Sequence, residues 1–222
     1  MEDKSIYDWV FEKRIWSHIE TVRISVTGLP KLSKRAQEVF RATLDVGRMY
    51  FSYGFYPQAG KLFQWSFAGQ QKLLGNDHLD TLEAAHYMAD VFDNQGEYSK
   101  ALEWYQRALD GYEKSLGKDH PSTLDTVHNM AIVCDNQGEY SKALEWYQRA
   151  LDGYEKTLGK NHPSTLNTVH NMAIVFKGQG ECSEALEWYQ RALNGRRKVL
   201  GNKHSSTLAL ARIVESLLPL TT

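Results

Sequence analysis

Three histidines, His86, His128 and His170, recur at a step of 42 residues in a chain of 222. Histidine ligates metals and titrates near neutrality, so such a column could hold a metal, relay protons or sense pH. A shared metal does not fit the spacing. Packed helices stand about 8–10 Å apart, whereas a Zn–N bond is about 2 Å. The expected role is solvated or partner-facing side chains whose titration near pH 6.5 tunes binding. The two cysteines, Cys134 and Cys182, are far apart and lack C-x-x-C spacing. They predict free, mostly buried thiols in a reducing compartment and no disulfide framework. No phosphate loop, H-E-x-x-H or G-x-S-x-G occurs, so no enzyme and no cofactor are expected.

Composition sets the frame for these residues. Hydrophobic residues make up 42% and charged residues 24%, the balance of a folded protein. The net charge of −1 gives no general attraction to nucleic acid or to an anionic membrane. No apolar run approaches the roughly 18 residues of a membrane span. Residues 1–10 lack the basic and apolar regions of a secretory signal. These features predict a cytoplasmic protein.

The elements that position the histidines are repeats. Asn94 to Leu109 returns unchanged as Asn136 to Leu151, and Leu116-Gly117-Lys118-Asp119-His120-Pro121-Ser122-Thr123-Leu124 returns from Leu158 to Leu166. A third copy keeps Ala185, Trp188, Tyr189 and Ala192, and weaker copies flank these. Each unit reads as two helices. One spans about 121–136, with Leu124, Val127, Ala131 and Cys134 as its apolar stripe. The other spans about 139–158, with Ala143, Tyr147, Ala150 and Tyr154 on one face. Gly159 suits a C′ cap, and Glu145 and Arg149 suit an i,i+4 pair on the wet side. One helix pair cannot bury both of its apolar faces, so stacking of neighbours must close the core.

With Ala131, Ala143, Ala150 and Tyr147 in place, the chain resembles the tetratricopeptide repeat family. The missing proline after the second helix matches the lengthened repeat of kinesin light chains. The H-P-S-T-L-x-T-V-H-N-M-A-I-V wording resembles the arrays of fungal STAND (NLR-like) NTPases, although this chain has no G-x-x-x-x-G-K-[ST]. The resemblance implies an all-α, right-handed α-solenoid with capping helices at both ends. The expected layout is an N-terminal cap or connector over 1–30, units at about 36–76, 78–118, 120–160 and 162–202, and a capping helix over 204–218. Glu215 stands where the family has a small residue, which marks the last helix as terminal.

The resemblance also implies a concave groove lined by the first helix of each unit. Its positions here are Arg41, Arg48 and Phe51; Glu83, His86, Asp90, Asp93 and Asn94; Asp125, His128, Ile132, Asp135 and Asn136; and Asn167, His170, Ile174 and Lys177. Such a groove is acidic in its middle and more basic toward both ends, and it suits a basic or mixed-charge apolar segment. The expected function is a non-catalytic scaffold for a protein or peptide, as a monomer or weak dimer, with Leu217, Leu218 and Leu220 as an apolar end. The sensor segment of a STAND NTPase and a kinesin-light-chain-like cargo adaptor are the alternatives. Trp104, Trp146 and Trp188 are expected to pack one unit on the next. The Arg196-Arg197-Lys198 cluster is expected to be a helix C-terminal charge bias.

Overall fold

The dipeptides His120-Pro121 and His162-Pro163 set where helices begin. Proline has a fixed φ and no N–H to lose in a first turn. The histidine before it is extended, and its Nδ1 accepts the N–H of Ser122, or of Ser164, at 3.2 Å. His78 and His204 accept from the Asp80 and Ser206 N–H groups in the same way. Helix ends use glycine: Gly159 has φ +91° and donates to the Tyr154 carbonyl at 3.0 Å. A side chain would be strained in that left-handed conformation.

The computed structural model describes residues 34–218, which form helices joined by short turns, with no strand among them. In order these are α1 (Lys34–Ser52), α2 (Tyr56–Leu74), α3 (Leu79–Asn94), α4 (Tyr98–Leu116), α5 (Pro121–Asn136), α6 (Tyr140–Thr157), α7 (Pro163–Gly178), α8 (Cys182–Leu200) and α9 (Ser205–Leu217). The expected N-terminal helix and Leu220 lie outside the described residues. The chain is all-α and built of consecutive helix pairs, as the repeat implies.

Contacts divide the chain into two compact units, Met1–Val91 and Phe92–Thr222. In the first, α1 packs on α2. Phe40 meets Trp65 edge-on at 5.2 Å, and Phe63 stacks on Tyr87 of α3 at 5.2 Å. In the second, each helix from α4 to α9 packs on the next, and α5 also touches α7. The two expected stripes are buried here: Leu124, Val127, Ala131 and Cys134 on α5, and Ala143, Tyr147, Ala150 and Tyr154 on α6. Cys134 is a buried free thiol, whereas Cys182, at the start of α8, is only half-buried.

The tightest approach in this unit uses a residue that periodicity did not single out. A Cβ on Gly153 would stand 2.3 Å from the Leu124 side chain, and one on Gly195 would stand 2.2 Å from Leu166. Alanine at either site gains about 1 kcal/mol of helix propensity, yet it must push a fully packed leucine aside, at about 1–3 kcal/mol. Gly153→Ala is therefore expected to lower the urea midpoint, and an unchanged or raised midpoint would show that Leu124 has room to move.

Candidate functional site

The candidate groove positions differ in what already holds them. In the first unit, Arg48 lies 3.7 Å from Glu83 and 3.6 Å from Asp45, and its guanidinium sits 5.4 Å from the Tyr87 ring centre. Arg41 pairs with Asp80 at 3.5 Å. The arginines expected to make this end basic thus face carboxylates. Burial raises the Glu83 carboxyl, with Arg48 opposing it. His86 approaches Asp90 at 3.7 Å on its own helix.

In the second unit His128 is half-buried and joins two repeats, contacts that the expectation of a solvated or partner-facing side chain did not include. Its Nδ1 lies 3.0 Å from Thr168 Oγ1 and its Nε2 lies 3.3 Å from Asn171 Nδ2, both on α7. The Thr168 hydroxyl donates to the Ser164 carbonyl, so it accepts from His128. That fixes the proton on Nδ1 and leaves Nε2 to accept from the Asn171 amide. Asn171 also bonds the Tyr147 hydroxyl, and Tyr147 meets the His128 ring edge-on at 5.3 Å. A protonated ring would set two donors face to face at Asn171. Burial, partly opposed by Asp125, lowers His128 to about 4.

His170 shows where this network stops. One repeat on, Thr168 and Asn171 are replaced by Leu210 and Ile213. The His170 Nδ1 is buried with no hydrogen-bond partner. Burial, with the Arg196 charge adding to it, lowers this imidazole to about 4 as well. Titration of these two histidines near pH 6.5, expected from sequence, does not occur in the folded chain.

The remaining positions divide in two. Asp125 accepts a hydrogen bond from the Tyr154 hydroxyl, and Asn167 accepts one from Arg196 at 3.4 Å. Asn136 donates to Asp93 at 3.2 Å, one repeat away. Ile132 and Asp135 are half-buried, and burial raises the Asp135 carboxyl. Ile174 is 41% exposed and Lys177 is exposed. Asp125, His128 and Asn167 thus make contacts within the chain, whereas Ile174 and Lys177 are exposed.

The outer helices carry a pattern that sequence reading missed. Arg149 pairs with Glu113 of the preceding repeat, not with Glu145, and Arg191 pairs with Glu155 in the same register. Each arginine also lies over the tryptophan three residues before it, with centroid distances of 5.6 Å at Trp146 and 5.2 Å at Trp188. The repetition of both Glu and Arg at the 42-residue step was the available signal. Trp146 and Trp188 pack half-buried against the core, as expected. Arg197 and Lys198 lie in the last turn of α8. Among the described residues no group of His, Cys, Asp and Glu could hold a metal, and no helix is long and apolar enough to cross a membrane.

The tetratricopeptide repeat family model matches residues 38–114, 94–156 and 123–198. A crystal structure of a Podosopora anserina putative kinesin light chain with nearly identical TPR-like repeats is similar at 26% identity, with a TM-score of 0.70 over 82% of this chain and 86% of that one. BtubC (BKLC) from P. vanneervenii shares the fold at 16% identity, with a TM-score of 0.72 over 90% of this chain and 78% of that one. No curated protein matches the chain.

Two measurements check the histidine assignment. His128→Phe strands the Asn171 amide, whereas His170→Phe removes a nitrogen that has no partner, so the first should cost at least about 1 kcal/mol more than the second. Equal urea midpoints would contradict the network. The unfolded chain takes up protons below pH 6.5, while folded His128 and His170 stay neutral to about 4. The unfolded state then binds more protons, so stability should fall as pH drops from 6.5 to 4. Replacing both histidines by phenylalanine should flatten that slope.

Proposed function

This chain belongs to the tetratricopeptide repeat family, and we propose that the leading helices α5 and α7 hold an extended protein segment bearing apolar and basic side chains. Stacked helical repeats present extended concave surfaces of this kind, and the family's general role is protein–protein interaction. One observation carries the choice of ligand. Ile174, 41% exposed, and the half-buried Ile132 stand one repeat apart on adjacent leading helices, each three residues before a charged position, Lys177 and Asp135. Exposed isoleucine offers apolar surface to an apolar side chain, and Asp135, with its carboxylate partly desolvated, gains from a cation. The groove in this reading takes no nucleic acid and no cofactor, and it performs no catalysis.

Contacts within the chain narrow the ligand. Because His128 is spent on Thr168 and Asn171, the fifth position of this repeat cannot clamp a C-terminal carboxylate. The ligand is thus an internal segment. The 42-residue step and the likeness to a putative kinesin light chain favour a second reading, a cargo adaptor of that type.

A peptide array supplies the test. Segments combining Lys or Arg with Leu, Ile or Phe should bind better than acidic ones, and acidic peptides at the top of the array would refute the reading. For the best peptide, Asp135→Lys should weaken binding about five- to tenfold, the size of one partly screened ion pair. Ile174→Ser should weaken it by a similar factor through lost apolar contact.

A further inference from the structure

The second unit repeats a cleft as well as its helices. The turn between α4 and α5 and the flank of α6 enclose a hollow whose charged lining is Lys118, Asp119, Glu145, Arg149, Asp152 and Lys156. One repeat on, the turn between α6 and α7 and the flank of α8 enclose a cleft of about 490 Å³, with Lys160, Asn161, Glu187, Arg191, Asn194 and Lys198 at the same positions. No residue of this second cleft belongs to the concave set.

The two clefts differ in charge. The first has three bases and three acids. Lys156 is paired with Asp119, and Asp152 accepts from Gln148 at 2.7 Å. In the second, both of those acids are amides, Asn161 and Asn194, while every base is kept, leaving three bases and one acid. Arg191 is taken by Glu155, as Arg149 is by Glu113. The change therefore falls on the lysines. Lys198 has lost the carboxylate that holds Lys156, and neither it nor Lys160 makes an ion pair among the described residues. Residues 94–135 and 136–177 differ at five positions, and three of those alter charge. Two are groove positions, 125/167 and 135/177. The third, Asp119/Asn161, lies in this cleft.

We propose that this cleft between the α6–α7 turn and α8 docks an acidic segment of a partner protein, separately from the concave groove. Two unpaired ammonium groups supply the attraction, and the side-chain amides of Asn161, Gln190 and Asn194 supply donors that orient carboxylates. The volume falls within the roughly 300–1,000 Å³ of recessed ligand sites. A recess that admits a few side chains suits a peptide better than a flat bilayer.

Fluorescence anisotropy with a labelled hexaglutamate peptide at low ionic strength tests this on the whole chain. The variant Asn161→Asp/Asn194→Asp installs the acids that the first cleft already carries, so the fold tolerates them, and an unchanged urea midpoint confirms it. Binding should weaken at least about tenfold. The converse variant, Asp119→Asn/Asp152→Asn, should raise the stoichiometry from one peptide to two. Asp135→Lys should leave the affinity unchanged, which separates this site from the groove. The proposal is overturned by a wild type that does not bind, by double-Asp binding within about twofold of wild type, by a stoichiometry that stays at one, or by phosphatidylserine vesicles binding through the same lysines while the peptide does not.

Discussion

Leu124 lies against the bare backbone of Gly153, and the rest of the second unit depends on that contact. With no side chain on α6 at this point, α5 and α6 close to a separation that no other residue allows. The same leucine and glycine recur as Leu166 and Gly195, so α7 and α8 close to the same separation. Identical pairs present identical outer faces. For that reason one set of contacts, with Arg149 to Glu113 and then Arg191 to Glu155, can join successive pairs without adjustment. Regular stacking thus begins from a repeated contact within each pair.

The joints themselves are partly polar. A buried imidazole, hydroxyl and amide would each be costly alone, and His128, Thr168, Asn171 and Tyr147 satisfy one another. Such a network specifies register. It forms only if the next first helix brings Thr and Asn to the right turn. The following joint relaxes this demand, since Leu210 and Ile213 replace both partners and His170 is left with a buried unpaired nitrogen. That joint relies on apolar packing, with Leu210, Val214 and Leu217 of α9 buried. Beyond it, Leu208 is 47% exposed where Leu124 and Leu166 are covered. The reason is direct: the equivalent leucines rest on a glycine of the second helix of their own pair, and α9 has no such helix after it among the described residues.

Much of this was legible in the sequence, for reasons that also explain what was not. Helix bounds, the two apolar stripes and the glycine at 159 follow from local rules of spacing and backbone conformation, and α5 falls at the expected 121–136. The roles of His120 and His162 as caps were missed because Ser, Thr, Asp or Asn is the usual signal at that position. The larger errors concern contacts between repeats. Arg149 has a carboxylate four residues away, and local reasoning paired them, but Glu113 is reached across the stack. His128 and Asp125 sit at groove positions by count, yet the next α-helix and Tyr154 claim them first. A one-dimensional period says which residues are equivalent. It does not say which equivalents touch, because that depends on the rotation between pairs.

Near-identity of two repeats turns this geometry into an experiment already performed. Where residues 94–135 and 136–177 agree, the shared residues include Leu124, Gly153 and Leu166 of the spacing and Glu113, Arg149 and Glu155 of the ion-pair ladder. Of the five positions that differ, Cys134/Phe176 is the apolar one: Cys134 is buried in the core, whereas Phe176 is half-buried against it and stacks on Trp188. Ser115/Thr157 conserves a hydroxyl. The other three change charge and leave the packing untouched, two on the leading helices and one in the outer cleft. A scaffold whose contacts are fixed by a repeated glycine and a repeated arginine–glutamate pair has little freedom inside. Its freedom lies in surface charge, and that is where these two copies have separated.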